Sequence, residues 1–184
     1  MSYYRNQLEG YLRSLDVDCG RILDIGSSDM LAKDRLRKCK YEEYTTLDID
    51  KSVKPDIVAD LNYKIDLEKK YDVIFCLEVF EYIFNPLQAI QNIFDLLDDK
   101  GCAYISFPFL YPMHNPVEID YLRYTEEGIK KLLREVGFAG VSIIPRKATK
   151  GRETLREFHK LEGMHPIKHS DSWSDIGYII EAIK

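Results

Sequence analysis

The sequence predicts a single α/β domain in which a mainly parallel sheet is wrapped by helices on both faces. Short apolar runs typical of buried strands alternate with amphipathic helical segments. Strands that alternate with helices form βαβ units, in which the strands run parallel. At 184 residues the chain is long enough for one well-packed core and too short for two, so we expect one domain over residues 1–184.

Seven short segments, most of them apolar, are the predicted strands. The clearest is Tyr71–Leu77, which is almost continuously apolar, as expected for a strand covered on both faces. The predicted strands are, in chain order, Arg21–Gly26, Tyr44–Ile49, Asp56–Ala59, Tyr71–Leu77, Cys102–Phe107, Val141–Ile144 and Gly177–Ile183.

Helical spacing of apolar residues predicts the connections. Residues 1–18 contain an N-terminal helix that packs on the core, and a moderate helix is expected from Leu31 to Cys39. Asn85 and Pro86 begin the next helix as cap and first residue, and Gly101 ends the connection that follows it. Two further features complete the prediction: a helix that Thr125 caps and Gly137 ends, and an insertion between the last two strands over residues 145–172.

Composition excludes several classes of function. The formal net charge of -5 argues against nucleic acid as a partner. No stretch approaches the roughly 20 apolar residues of a membrane span, and the N-terminus lacks a secretory signal pattern. The four cysteines are scattered without metal-ligand or redox spacing, which favours reduced thiols in the cytoplasm. Pro166 lies between His165 and His169, so we expect no metal site.

Acidic residues gather at the carboxyl ends of four successive predicted strands, namely Asp24, Asp48, Asp60 and Glu78. Ligands of open α/β sheets bind at that edge, near the point where the strand order reverses. Gly26 allows a sharp turn and a close approach of the backbone to a ligand. Asp48 follows about 20 residues later, where such folds place a carboxylate on ribose hydroxyls. The pattern predicts an adenosine-type cofactor.

The charge of the turn after the first strand discriminates between cofactors. A dinucleotide needs a glycine-rich loop for its pyrophosphate, whereas this loop has Gly26 without the second and third glycines. Asp24 and Asp29 would also lie beside the phosphates, which is unfavourable. S-adenosylmethionine, with its sulfonium and ammonium groups, suits an acidic pocket better than NAD does.

Five segments, ILDIGSSDM, TTLDID, IVADL, YDVIFCLEVFEYI and DDKGCAYISFPF, resemble in order and spacing the class I S-adenosylmethionine-dependent methyltransferases of the small-molecule subgroup. The resemblance covers residues 21–138 and implies a Rossmann-like, doubly wound sheet of seven strands with the last strand antiparallel. It implies that Asp24 and Gly26 lie by the methionyl part, Asp48 by the ribose and Asp60 by the adenine amino group. Leu77 and Glu78 would form the rim beside the methyl group. Further cofactor contacts are predicted at Ser28, Ile49 and Leu61.

The sequence departs from the family pattern at three positions. Ser28 and Met30 stand where further glycines are usual, and Tyr82 stands where a histidine is common. Asp29 has an alternative role as a helix cap. We interpret Asp50 as a solvated neighbour and Glu81 as a helix-start or ion-pairing residue.

A proline- and aromatic-rich stretch after the fifth strand is predicted to form a wall over the cofactor site. Within it, His114 is a candidate base for a hydroxyl acceptor, and Asp120 is a second candidate catalytic residue. The alternative is structural: His114 caps a turn, and Asp120 pairs with Arg123. Six basic residues follow: Arg146, Lys147, Lys150, Arg152, Arg156 and Lys160. We interpret them as a solvated helix face, with attraction of an anionic acceptor such as a phosphorylated or uronic sugar as the alternative.

Together these observations predict a cytoplasmic methyltransferase that acts on a small-molecule or glycan-type acceptor. Two alternatives stay open at this point. One is an S-adenosylmethionine-binding module without turnover, and the other is an NAD(P)-dependent oxidoreductase. The sequence does not indicate an oligomeric state.

Overall fold

The computed structural model describes residues 3–113, 115–148 and 175–184. Its helices and strands are, in chain order, α1 (Tyr3–Leu12), β1 (Asp16–Asp18), β2 (Arg21–Ile25), β3 (Lys38–Lys40), β4 (Glu43–Asp48), β5 (Ile57–Val58), β6 (Tyr71–Cys76), α2 (Pro86–Leu96), β7 (Leu97–Pro108), α3 (Glu126–Val136), β8 (Gly140–Lys147) and β9 (Asp175–Ile183).

A seven-stranded sheet carries the fold, in the order β5-β4-β2-β6-β7-β9-β8. β9 runs antiparallel to β7 and β8, and the other neighbours in the sheet are parallel. The strand order reverses between β2 and β6, which opens a crevice at the carboxyl ends of these strands. The predicted mostly parallel, Rossmann-like sheet is confirmed, and each of its seven predicted strands is present.

Helices cover both faces of this sheet. α1 buries Leu8 and Leu12 against one face, where they join side chains of β2 and β6. α2 and α3 pack on the opposite face, in a core that includes Ile90 and Leu133. Thr125 caps α3 as predicted, because its hydroxyl accepts a hydrogen bond from the Gly128 amide at 3.1 Å. Within the described residues, no helix is long and apolar enough to cross a membrane.

The N-terminal helix is shorter than residues 1–18. It ends at Leu12, and residues Asp16–Asp18 form β1, in which Val17 is buried between two exposed aspartates. β1 pairs in parallel with β3, with Val17 opposite Cys39, in a separate two-stranded sheet. The alternation of polar and apolar residues there has the period of a strand.

The predicted helix from Leu31 to Cys39 is wrong. A single 3-10 turn spans Ala32–Asp34, and the chain then enters β3. The Asp24 carboxylate accepts a hydrogen bond from the Ala32 amide at 2.8 Å, which ties the turn to β2. This contact between residues eight positions apart overrides the local helical spacing.

Two boundaries in the second half also differ from the prediction. Gly101 lies inside β7 and does not end the connection. A Cβ atom there would stand 3.0 Å from the Asp98 carbonyl oxygen, so the close packing of the backbone requires glycine. β8 continues to Lys147, three residues beyond its predicted end at Ile144, so residues 145–147 belong to a strand. Most of the predicted 145–172 insertion lies outside the described residues.

Candidate functional site

Two cavities open side by side at the carboxyl ends of β2, β4 and β6. The larger cavity has a volume of about 600 Å³ and the smaller cavity about 320 Å³. They adjoin, because Gly26, Glu78 and Tyr82 line both. Every residue predicted to contact the cofactor lines at least one of the two cavities: Asp24, Gly26, Ser28, Leu77 and Glu78 the larger, and Gly26, Asp48, Ile49, Asp60, Leu61 and Glu78 the smaller. Their individual roles remain predictions.

Two half-buried carboxylates lie in the smaller cavity, each fixed by a local hydrogen bond. Oδ1 of Asp48 accepts from the Asp50 amide at 2.9 Å, and Oδ1 of Asp60 accepts from the Asn62 amide at 2.9 Å. In each carboxylate, Oδ2 makes no hydrogen bond to a residue in the described part of the chain. Both Oδ2 atoms are therefore available to hydroxyl or amino groups of a ligand.

The turn after β2 has the backbone conformation of a glycine-rich loop at two positions. Gly26 has a φ of +67°, and a Cβ atom there would stand 2.5 Å from Cγ2 of Val79. Ser28 has a φ of 50°, so a serine adopts the left-handed conformation that glycine usually supplies. The turn therefore keeps its conformation although position 28 is a serine and not the usual glycine. The capping role considered for Asp29 is not present, because the 3-10 turn that follows has no side-chain cap.

Asp24 is 2% exposed and has a structural task in addition to lining the larger cavity. Its Oδ2 atom accepts hydrogen bonds from the Ala32 amide and from the Tyr44 hydroxyl. Burial raises the pKa of this carboxyl above its usual range. The side chain thus holds the 3-10 turn against the end of β2 and shapes the larger cavity.

Glu78 is held by a buried ion pair that the sequence analysis missed. Its backbone has a φ of 59°, and Ser106 donates its hydroxyl to Oε1 at 2.8 Å. Nη1 of Arg146 donates to the same Oε1 at 2.6 Å, and Nη2 donates to the Tyr4 carbonyl oxygen at 2.9 Å. The guanidinium also lies 3.2 Å from the centroid of the Tyr4 ring. Strands β6, β7 and β8 therefore fix the carboxylate jointly.

The interpretation of Arg146 as part of a solvated helix face is wrong. Arg146 lies in β8 and is 1% exposed, and Lys147 is also a strand residue. Charge and spacing along the sequence could not reveal this, because Glu78 lies 68 positions away. The other basic residues of the run lie outside the described residues.

Glu81 has one of its two predicted roles, that of a helix-start residue, and is also buried at the larger cavity. It lies in the 3-10 turn Phe80–Tyr82, is 8% exposed and lines the larger cavity. Its Oε2 atom is buried and has no hydrogen-bond partner among the described residues, so the ion-pairing interpretation is wrong for that atom. Burial, reinforced by the negative charge of Glu78, raises the pKa of Glu81 to about 7.

The two candidate catalytic residues are placed differently. Asp120 pairs with Arg123, whose Nη2 lies 2.7 Å from Oδ2, and Arg123 also donates to the Tyr111 carbonyl oxygen at 3.1 Å. Asp120 lines neither cavity, so the geometry favours the structural alternative, in which this pair holds the loop. His114 lies outside the described residues, and its catalytic role remains a prediction.

Comparison with known proteins agrees with this arrangement. A family described as "Methyltransferase domain" matches residues 4–143, well over half of the chain. A curated relative, the ubiquinone biosynthesis O-methyltransferase of Rickettsia conorii, is 32% identical over 100 residues. That alignment covers 52% of this chain and 34% of the relative, so the match spans about a third of the relative's length.

Solved structures of similar fold cover nearly the whole chain. An S-adenosylmethionine-dependent methyltransferase from Archaeoglobus fulgidus has a TM-score of 0.61 and 17% identity, covering 98% of this chain and 94% of its own. Another from Mesorhizobium loti has a TM-score of 0.63 and 14% identity, and the match covers 100% of this chain and 98% of that protein. These comparisons confirm the resemblance inferred from the five segments and the cofactor that it implies. They do not support the nicotinamide-dependent alternative.

Proposed function

Because the chain belongs to the class I S-adenosylmethionine-dependent methyltransferase family, we propose that it transfers a methyl group from S-adenosylmethionine to a small-molecule acceptor. The observation that carries the proposal is the pair of adjoining cavities that share Gly26 and Glu78. One cavity can hold the adenosine part of the cofactor, and the other can hold the methionyl part together with the acceptor.

The smaller cavity suits adenosine in size and chemistry. In the proposed arrangement, Oδ2 of Asp48 accepts hydrogen bonds from the ribose hydroxyls, and Oδ2 of Asp60 accepts from the adenine amino group. Ile49 and Leu61 supply apolar surface for the planar base. In both carboxylates, Oδ2 makes no hydrogen bond to a described residue and can accept these bonds from a nucleoside.

The larger cavity has the charge that a cationic methyl donor requires. Asp24, Asp29, Glu78 and Glu81 line it. Two arginines line it as well, Arg5 and Arg35, and the single carboxylate of Glu9 offsets one of their two positive charges: Nη2 of Arg35 lies 2.8 Å from Oε1 of Glu9, and Nε of Arg5 lies 3.5 Å from the same atom. An acidic wall favours the sulfonium and ammonium groups over a pyrophosphate.

S-adenosylmethionine supplies an electrophilic methyl group when it is bound. The contribution of the protein is mainly alignment, since methyl transfer is an in-line displacement at carbon. The turn at Gly26 and the rim at Leu77 and Glu78 position the donor. The stacked rings of Tyr4 and Tyr111, whose centroids lie 4.3 Å apart, form a wall beside it. An aromatic wall and a volume of about 600 Å³ suit a small ring-containing acceptor.

An oxygen acceptor is favoured by the name of the curated relative, which is an O-methyltransferase. A glycan-type acceptor is the second candidate from the sequence analysis and would have to enter the same cavity. We expect the protein to act in the cytoplasm, which its four free cysteines support. The net charge of -5 makes nucleic acid a poor partner.

A thermal-shift panel tests the proposal. We expect S-adenosylmethionine and S-adenosylhomocysteine to raise the melting temperature, whereas NAD and NADP leave it unchanged. A ligand at 100 times its dissociation constant stabilises a protein by about 2.7 kcal/mol. Stabilisation by NAD without stabilisation by S-adenosylhomocysteine would contradict the proposed function.

A further inference from the structure

Four acidic side chains with buried or half-buried carboxyl groups lie in or beside the larger cavity, and three of them are engaged by other groups. Asp24 accepts from the Ala32 amide and the Tyr44 hydroxyl, Glu78 is bound by Ser106 and Arg146, and Asp120 is paired with Arg123. Glu81 differs from all three. Its Oε2 atom is buried without a partner in the described part of the chain, although the residue lines the cavity.

A buried carboxylate oxygen without a partner is costly unless a ligand or a function uses it. The backbone at Glu81 is nevertheless fixed by hydrogen bonds. The Glu81 carbonyl oxygen accepts hydrogen bonds from the amides of Tyr121 at 2.7 Å and Leu122 at 3.3 Å, so the loop after β7 holds the turn from outside. The backbone that carries this side chain is therefore fixed, while Oε2 has no hydrogen-bond partner among the described residues.

Groups from several elements interact electrostatically with Glu81. The charged ones are Glu78, Asp120 and Arg123, and the neutral ones are Tyr4, Cys76, Tyr82 and Tyr124. Burial raises the pKa of each of these four neutral groups above its usual range, so none of them competes for a proton near neutral pH. Glu81 is the group of this set whose pKa, about 7, matches proton transfer at neutral pH.

We propose that Glu81 is the general base that removes the proton from a hydroxyl acceptor bound in the larger cavity. The inference rests on the proposed function and extends it to the acceptor group. A lone pair of the hydroxyl oxygen forms the new bond to the methyl carbon, and the carbon–sulfur bond breaks with its electron pair on sulfur. The hydroxyl proton moves to the carboxylate of Glu81, so the products are a methyl ether, a neutral thioether and a protonated carboxyl.

The test uses Glu81→Gln, which keeps the shape of the side chain and removes its charge. Glu118→Gln is the matched control, because Glu118 is exposed in the nearby 3-10 turn Val117–Ile119. The first readout requires no catalysis. A buried carboxyl whose pKa rises from about 4.5 in the unfolded chain to about 7 in the folded protein lowers stability progressively between these pH values. We therefore expect Glu81→Gln to melt several degrees higher than the parent protein at pH 8 and equally near pH 4.5.

The second readout is turnover with two phenols that differ in acidity. With 4-methoxyphenol at pH 7, we expect Glu81→Gln to slow formation of S-adenosylhomocysteine by roughly 10²–10⁴-fold, while the dissociation constant of S-adenosylmethionine changes by less than about threefold. With 4-nitrophenol, which ionises without help near neutral pH, the loss should be at most about tenfold. Glu118→Gln should match the parent protein in both assays.

The outcomes separate this inference from the proposed function. Equal losses with both phenols, unchanged turnover, or equal melting temperatures of the variant and the parent protein at pH 8 would each overturn the role of Glu81. Methylation of amines but of neither phenol would overturn it too, while leaving methyl transfer intact. Failure of the parent protein to bind S-adenosylmethionine would instead contradict the proposed function. Loss of turnover in His114→Ala with none in Glu81→Gln would assign the base to His114.

Discussion

The guanidinium of Arg146 lies against the carboxylate of Glu78, with Nη1 2.6 Å from Oε1, and the Arg146 side chain has no exposed surface. The pair joins the end of β6 to the end of β8, and its Glu78 lines both cavities. It balances one of the four acidic residues of the larger cavity and fixes a backbone with a φ of 59° at Glu78. The predicted rim at Leu77 and Glu78 is thereby held by residues from both halves of the sheet.

Removing the arginine should destabilise the protein. Arg146→Met leaves Glu78 without its charged partner, and breaking a buried ion pair typically costs about 3–5 kcal/mol of unfolding free energy. Glu78 keeps some contact with solvent, so we expect a loss near the lower end, measured by urea denaturation. The double variant Arg146→Met/Glu78→Gln should recover part of the loss, because the unpaired charge is gone. A loss below about 1 kcal/mol in the single variant would mean that the pair is not structural.

The turn at Gly26 should tolerate no side chain. In Gly26→Ala, a Cβ atom would lie 2.5 Å from Cγ2 of Val79, and the φ of +67° is strained for alanine. We expect the free energy of unfolding to decrease by roughly 1–3 kcal/mol and the affinity for S-adenosylhomocysteine to fall at least about tenfold. Gly10→Ala is the control, because its Cβ atom meets nothing within 4 Å in α1. Alanine there should stabilise by about 0.5–1 kcal/mol, and an equal effect of both substitutions would contradict the proposed close approach.

The stability of the parent protein should fall as the pH rises from about 4.5 to 7. Glu81 ionises at about 7 in the folded protein and near its usual value of 4.5 when unfolded. Between these values the folded state binds the extra proton, so the unfolding free energy decreases with pH, by up to about 1.4 kcal/mol for each unit of separation. Urea titrations of the parent protein and of Glu81→Gln at several pH values measure the difference. Curves that run parallel over this range would contradict a buried, ionising Glu81.

The regular elements of the fold could be predicted because local patterns dictate them. Apolar runs such as Tyr71–Leu77 gave the strands, and the Thr125 cap with Gly137 gave α3. Prediction of secondary structure failed where contacts between residues distant in sequence determine the local conformation. The helix expected from Leu31 to Cys39 was wrong because Asp24 binds the Ala32 amide and leaves a single 3-10 turn.

The same reason explains what was missed in the site. The acidic strand ends identified the residues around both cavities, because parallel strands bring their carboxyl ends to one edge. Arg146 was misassigned because its partner Glu78 is remote in sequence. The helix-start prediction for Glu81 is correct, but its burial was missed because the loop at Tyr121 and Leu122, which binds its carbonyl oxygen, is about 40 positions away in sequence.

The binding of S-adenosylmethionine to Asp48→Ala tests the central claim most directly, with Asp50→Ala as the matched control. Asp48 lines the smaller cavity, whereas Asp50 lines neither cavity and accepts a hydrogen bond from the Ser52 amide at 2.8 Å. A charged acceptor contributes on the order of 1.5–3 kcal/mol per hydrogen bond. We therefore predict that calorimetry will show at least about tenfold weaker binding for Asp48→Ala and a change below about threefold for Asp50→Ala. Unchanged affinity in Asp48→Ala, with the fold intact, would contradict the placement of the cofactor in this crevice.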